Sequence, residues 1–141
     1  MSDTRLSFDH VHIISEDPHA SARWYEEILG GTIKGDYVLR EAPQINVVVG
    51  GVSVLIRGRR PGEEPGAPQA MRHFEDYSSH DEWGTDHFGF RFEGDLAAFC
   101  EEIRANGAEF SVEPWEFGPG ALICYLSAPD GVSIELVQAR P

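Results

Sequence analysis

Basic residues are scarce in this sequence, and their scarcity excludes several classes of partner. The 141 residues contain 11 Lys and Arg against 24 Asp and Glu, which gives a formal net charge of -13. A nucleic-acid-binding surface needs basic side chains to neutralise phosphates, and an anionic membrane surface attracts clusters of Lys and Arg. The sequence therefore predicts neither a nucleic-acid partner nor a membrane partner.

Cysteines and long apolar segments are scarce as well. Cys100 and Cys124 are the only cysteines, and their spacing is not that of a disulfide framework or a zinc site. No stretch approaches the roughly 20 apolar residues of a membrane span, and no basic segment followed by an apolar run predicts a signal peptide. Apolar residues make up 41% of the chain, so we expect a soluble, cytoplasmic, single domain over residues 1–141.

One short phrase occurs twice and divides the chain into two similar halves. An acidic residue, a histidine and alternating apolar positions stand at residues 9–13 (DHVHI) and again at residues 86–90 (DHFGF). Each copy precedes a segment with the apolar spacing of a helix, which an aspartate opens and a glycine closes. Three strand-like segments then follow in each half, and GVSVLI at residues 51–56 corresponds to GVSIEL at residues 131–136.

The repeat predicts an α+β fold of two βαβββ modules in tandem. Module 1 covers about residues 5–57, a Pro/Gly-rich linker about residues 58–85, and module 2 about residues 86–139. The periodicity predicts strands at residues 7–14, 32–38, 44–49, 51–57, 86–93, 108–112, 121–127 and 132–138. It also predicts a hairpin turn at Gly50–Gly51 and a short helix around residues 69–77.

The two copies differ at one informative position, where Glu135 occupies the place of Leu55. An ionised carboxylate in an apolar strand is costly unless it is paired or coordinated. His10 corresponds to His87, and two neutral imidazoles with one carboxylate can bind a divalent first-row metal and leave positions open for substrate. The structural alternative places His10 at a strand end, His87 in the core with a hydrogen-bonded ring, and Glu135 toward solvent on an edge strand. The spacing alone leaves both interpretations open.

Four segments together resemble the vicinal-oxygen-chelate superfamily, which includes glyoxalase I, extradiol dioxygenases and bleomycin-resistance proteins. They are residues 9–13, 24–31, 86–90 and 128–136. The resemblance implies curved mixed sheets around a metal cleft, with His10, His87 and Glu135 as ligands of Fe2+, Zn2+, Ni2+ or Mn2+. It also implies a homodimer, in which modules of different subunits often complete each site.

The resemblance leaves the reaction divided between several classes. Glyoxalase I carries a fourth protein ligand where this chain has Val54-Leu55-Ile56, none of which can bind a metal or act as a base. Three ligands slightly favour dioxygenase-type cleavage at Fe(II) over glyoxalase-type lyase or isomerase chemistry, and they also suit the thiol transferases that act on fosfomycin. A metal-free drug-binding protein of the bleomycin-resistance type is the non-enzymatic alternative. We expect a metal-dependent enzyme whose small substrate chelates the ion through two oxygens.

His12 and Tyr125 are the candidate catalytic residues. His12 shares a strand face with His10 and titrates near neutral pH, so it is either an acid–base group or a wall residue of the cleft. By resemblance, Tyr125 lies where extradiol enzymes and fosfomycin proteins place a substrate-contacting tyrosine. The linker histidines His73 and His80 have no assigned role. One of them could fold over the cleft as a proton donor, but simple exposure in a loop is the commoner case.

Three arginines close to the end of module 1 have two interpretations. Arg57, Arg59 and Arg60 form a solvated cluster that Glu63 and Glu64 balance, or they bind a carboxylate or phosphate bidentately. The charge pattern favours the solvated cluster.

Overall fold

The computed structural model describes residues 5–68, 80 and 82–138 and divides the chain into two compact units, Met1–Pro65 and Gly66–Pro141. Within those described residues, each unit has one α-helix and one four-stranded mixed sheet. The predicted α+β fold of two tandem βαβββ modules is therefore confirmed. The predicted helix around residues 69–77, His73 within it, and residue 139 at the end of module 2 lie outside the described residues.

The first unit consists of β1 (His10–Ile14), α1 (Pro18–Leu29), β2 (Thr32–Leu39), β3 (Ala42–Val49) and β4 (Val52–Arg57). The strand order in the sheet is β1-β4-β3-β2, with β1 parallel to β4 and the other neighbours antiparallel. Gly50 and Gly51 both have positive φ, of 56° and 79°, and form the predicted hairpin turn between β3 and β4.

Helix α1 begins and ends where the sequence predicts. Asp17 Oδ1 accepts a hydrogen bond from Ala20 N at 3.1 Å, and Gly30 ends the helix in the left-handed conformation with φ of 70°. The helix packs against one face of the sheet, which is apolar. A Cβ at Gly31 would lie 2.8 Å from methyl groups of both Val47 and Val49, so this close approach of the helix end to β3 requires glycine.

The second unit repeats this order with β5 (Phe88–Arg91), α2 (Leu96–Ala105), β6 (Phe110–Gly118), β7 (Ala121–Ser127) and β8 (Ser133–Gln138). A single 3-10 turn, Pro129–Gly131, precedes β8. The strand order is β5-β8-β7-β6, and β5 runs parallel to β8. Asp95 Oδ1 accepts from Ala98 N at 3.1 Å, and Gln138 Oε1 accepts from Leu96 N at 2.7 Å, so two side chains cap the start of α2.

Most predicted strands match the observed ones or differ by one or two residues at one end, and three differ more. In these three the neighbouring strand sets the ends. β1 begins at His10, not at residue 7, because His10 pairs with Ser53, the second residue of β4, and the Gly50–Gly51 turn precedes that strand. β5 is limited to Phe88–Arg91, because Phe88 pairs with Ile134 at the start of β8. β6 extends to Gly118, beyond the predicted residue 112, because β7 offers it partners as far as Ala121.

Neither α1 nor α2, the two α-helices in the described part of the chain, has the length and apolar content needed to cross a bilayer.

Candidate metal site

The second unit brings His87, Glu135 and Tyr125 together. Glu135 on β8 pairs with Gly89 of β5 on one side and with Tyr125 of β7 on the other. β8 is an interior strand of its sheet, so the interpretation of Glu135 as a solvent-facing residue on an edge strand is wrong. The Glu135 side chain is 21% exposed, and Tyr125 is buried with its ring centroid 4.8 Å from that of His87.

The imidazole of His87 lies between two carboxylates. Its Nδ1 is 2.6 Å from Asp86 Oδ2, and its Nε2 is 3.2 Å from Glu135 Oε2. In a neutral ring whose Nδ1–H donates to Asp86, Nε2 carries a lone pair and faces the lone pairs of Glu135. A positive species at Nε2, either a proton or a metal ion, removes this repulsion.

The spacing of these two donor atoms fits a divalent metal ion. Ligand atoms about 2.1 Å from one metal and about 90–110° apart are separated by about 3.0–3.4 Å, which brackets the observed 3.2 Å between His87 Nε2 and Glu135 Oε2. Asp86 holds the other ring nitrogen, as carboxylates commonly do for metal-bound histidines. The spacing of these two donor atoms therefore suits two ligands of one divalent ion.

Gly89 has no side chain and so leaves space beside Glu135 on the neighbouring strand. A Cβ at Gly89 would lie 3.0 Å from the backbone oxygen of Glu135 and 3.3 Å from its Cβ. In the first unit the equivalent pair is His12 and Leu55, which lie opposite each other in β1 and β4. The polar side chain thus stands on the first strand in one unit and on the last strand in the other.

The first unit presents His10 in the same local arrangement as His87. Nδ1 of His10 is 2.6 Å from Asp9 Oδ2, which leaves Nε2 for another partner. The His12 ring lies on the same face, with its centroid 6.2 Å from that of His10. Desolvation by burial and, secondarily, the positive charge of Arg57 lower the pKa of His12 below its usual 6.5, so this imidazole is neutral at physiological pH.

Comparison with protein-family models identifies the chain. The model of the Glyoxalase/Bleomycin resistance protein/Dioxygenase superfamily matches residues 7–136. The chain belongs to this superfamily. No curated protein matches the sequence.

Solved structures of superfamily proteins share the fold of the chain. A glyoxylase/bleomycin resistance protein/dioxygenase domain from Frankia sp. EAN1pec is 24% identical, with 97% of this chain and 94% of that chain covered and a TM-score of 0.73. A glyoxalase family protein from Enterococcus faecalis is 21% identical, with 93% and 96% covered and a TM-score of 0.65. The fosfomycin resistance protein FosX from Listeria monocytogenes, complexed with Mn(II) and sulfate, is 14% identical, with 94% and 92% covered and a TM-score of 0.64.

The predicted site residues of this superfamily member fall into two groups. His87, Glu135 and Tyr125 meet in the second unit, whereas His10 and His12 meet in the first. Among residues 5–68, 80 and 82–138, no three His, Cys, Asp or Glu side chains form a group that could hold a metal ion. The ligand set of His10, His87 and Glu135 stays a prediction.

Several residues of the site were not predicted from the sequence. Asp9 and Asp86 orient the two rings, and the Asp-His pair that occurs twice was the signal that could have indicated them. Gly89 carried no such signal. The linker histidine His80 donates from Nε2 to the backbone oxygen of Gly131 at 3.0 Å, so it attaches the end of the linker to the turn before β8.

Proposed function

We propose that this superfamily protein is a metal-dependent enzyme whose small substrate chelates a divalent ion through two oxygens. The observation that carries the proposal is the 3.2 Å approach of His87 Nε2 to Glu135 Oε2 while Asp86 occupies Nδ1. A positive species at Nε2 removes the repulsion between the two acceptors, and in this proposal that species is the divalent ion. Glu135 is only partly exposed within an interior strand, where an uncompensated carboxylate is costly.

His10 is the third ligand in this proposal. Asp9 orients its ring through Nδ1 in the way that Asp86 orients His87, so Nε2 remains available for coordination. The His10 side chain that binds the ion belongs to the same chain or, in the homodimer that we expect, to a second copy of the chain.

The residues around the ligands suit a chelated, anionic substrate. A bound divalent ion supplies Lewis acidity that stabilises an enolate-like or catecholate anion. His12, on the same face as His10, is the group that would accept or return a substrate proton, and Tyr125 would donate its hydroxyl toward a substrate oxygen beside His87. Asp9 and Asp86 fix the tautomers of the ligand rings.

Among the reactions of this superfamily, the donor set favours dioxygenase-type cleavage. In β4, Val54 and Ile56 are fully buried on the helix side of the sheet, and Leu55 lies opposite His12, so none of these three residues offers a fourth oxygen or nitrogen ligand. Three protein ligands leave room for both a bidentate substrate and O2. Glyoxalase-type isomerisation, thiol transfer and metal-free drug binding are the competing outcomes of the experiments below.

Metal analysis tests the site directly. Protein purified without chelator should contain one divalent ion per chain, and His87→Ala and Glu135→Ala should both lose it. His19→Ala is the matched control, because His19 Nε2 lies 3.2 Å from Asp36 Oδ2 in an exposed pair with the same spacing. The control should keep the ion. Wild-type protein that takes up no Fe2+, Mn2+, Zn2+ or Ni2+ on reconstitution contradicts the enzyme proposal and favours a metal-free binding protein.

Activity assays separate the reaction classes once the ion is known. Iron content with oxygen uptake on a catechol supports cleavage by a dioxygenase. Nickel- or zinc-dependent turnover of a hemithioacetal supports glyoxalase-type chemistry instead, and addition of a thiol to fosfomycin supports the transferase class.

A further inference from the structure

Polar side chains occupy one face of the sheet in the first unit. Directly paired residues of neighbouring strands share a face, and Leu55 pairs with both His12 and Asn46, while Arg57 pairs with Gln44. These side chains therefore lie on the face that also carries His10, since His10 and His12 alternate with Val11 along β1. The opposite face carries the apolar residues of β3 and β4 that pack against α1.

Two of these polar residues are buried although they lie at the end of the sheet. Arg57 is 8% exposed and Gln44 is 6% exposed. The expectation that Arg57 belongs to a solvated cluster is therefore wrong, whereas the neighbouring Arg59 is exposed as expected. A buried guanidinium is costly unless its donors are satisfied.

Protein acceptors satisfy only one nitrogen of Arg57. Its Nη1 donates to the backbone oxygen of Gly58 at 2.9 Å and to Glu63 Oε1 at 2.8 Å. Within the described residues, Nε and Nη2 have no acceptor at hydrogen-bond distance, and neither atom is among the fully buried ones, so both remain accessible to a ligand. These two nitrogens form one edge of the planar guanidinium, which is the edge that binds a carboxylate or phosphate oxygen pair side by side.

A neighbouring side chain also lacks a partner. Asn46 Oδ1 is buried, and no group in the part of the chain that the structure describes donates a hydrogen bond to it. Leu55 of β4 lies between Asn46 of β3 and His12 of β1, because it pairs with both. Asn46 is also the diagonal neighbour of Arg57 across β3 and β4. Diagonal neighbours are about 7–8 Å apart, so one small molecule can contact both.

The geometry points to an oxyanion subsite on this face, in which Arg57 binds a carboxylate, phosphate or phosphonate group of the substrate through Nε and Nη2. Asn46 Oδ1 accepts a hydrogen bond from a substrate hydroxyl, and His12 lies between this subsite and His10. The substrate is thus a small acid whose anionic group is separate from its two metal-chelating oxygens. The subsite itself does not depend on the proposed function. Only the statement that its ligand also chelates the metal ion rests on that proposal.

Anion binding to metal-free protein tests the subsite without depending on the metal chemistry. After chelator treatment, the wild-type protein should bind inorganic phosphate and acetate saturably and in mutual competition, with amide shifts in NMR titrations concentrated at residues 55–57. If only phosphate binds, the substrate carries a phosphate or phosphonate; if both bind, a carboxylate suffices.

Substitutions with a matched control assign the binding to Arg57. Arg57→Gln should weaken the bound anion about tenfold or more, because two charge-assisted hydrogen bonds are lost. Asn46→Asp should weaken it as well, because it adds a negative charge beside the anion. Arg23→Gln removes the same charge from an exposed position on α1 and should leave anion binding unchanged. Arg57→Lys keeps the positive charge that pairs with Glu63 but lacks the two parallel N–H donors of the guanidinium. This variant should bind the anion with intermediate affinity.

The results that overturn the subsite differ from those that overturn the metal site. Absence of saturable binding of either anion to wild-type protein, or equal weakening in Arg23→Gln and Arg57→Gln, refutes the subsite. The divalent ion content of Arg57→Gln should equal that of wild type, with circular dichroism showing that the variant is folded. Anion binding that persists in a wild-type protein unable to take up metal supports the subsite and refutes the proposed function alone.

Discussion

Replacing Gly89 with alanine tests whether the close approach of β5 to β8 constrains the proposed metal site. Gly89 lies directly opposite Glu135, and an added Cβ would meet the Glu135 backbone oxygen at 3.0 Å and its Cβ at 3.3 Å. The first of these atoms is fixed by the sheet, so the strand or the Glu135 side chain must move. We expect Gly89→Ala to affect both stability and ion binding.

The size of the stability effect follows from two opposing contributions. Overpacking of this kind costs about 1–3 kcal/mol, whereas removing the conformational freedom of glycine from the unfolded chain returns about 0.4–1 kcal/mol. The middle values of the two ranges, about 2 and about 0.7 kcal/mol, leave an expected net loss in free energy of unfolding of about 1.3 kcal/mol. For a chain of this length this loss lowers the melting temperature by about 4–5 °C.

Urea denaturation and metal titration of two alanine variants provide the measurement. Gly66→Ala is the control, because a Cβ at Gly66 would meet nothing within 4 Å. Its stability should stay within about 0.5 kcal/mol of wild type, and its affinity for the divalent ion should not change. The affinity of Gly89→Ala should fall, because Glu135 is displaced relative to His87. If the two variants behave alike in both measurements, the close approach does not constrain the site.

Three further predictions concern the residues that support the site and the fold. Asp86→Asn should weaken divalent ion binding about 10–100-fold in competition with a chelator, because the amide no longer orients the ring as the carboxylate does; unchanged affinity would contradict this role. Asp95→Ala should lower the free energy of unfolding in urea by about 1 kcal/mol, because Ala98 N loses its cap. The backbone N–H of Arg60 and the Arg57 guanidinium hold the pKa of Glu63 below its usual 4.5. The ionised Glu63 therefore stabilises the folded chain fully above pH 4.5, and this contribution is lost as the pH falls through the lower folded-state pKa. Glu63→Gln should accordingly flatten the dependence of melting temperature on pH below about 5.

The helices could be predicted closely because their signals are local. Asp17, Pro18 and Gly30 fix both ends of α1 through contacts within the helix and its caps. The same holds for α2, where Asp95 is the cap that the sequence indicates. Such contacts involve residues only a few positions apart, so the sequence alone contains them.

Strand ends and buried polar residues depend on distant partners and could not be predicted in this way. β6 reaches Gly118 through a segment that contains a proline and several register shifts, because β7 lies beside it. Arg57 belongs to a run of charged residues that is typical of a surface, and its burial follows only from its place beside Gln44 in the sheet. The repeated phrase did indicate His10 and His87, but it gave no sign that Gly89 must remain small.

The reciprocal placement of side chains in the two units means that neither unit converts into the other by a single substitution. Leu55→Glu alone would set a carboxylate against the His12 ring, and Gly89→His alone would force an imidazole into the backbone of Glu135. The strand pairs β1–β4 and β5–β8 thus keep one backbone pairing with two different sets of side chains.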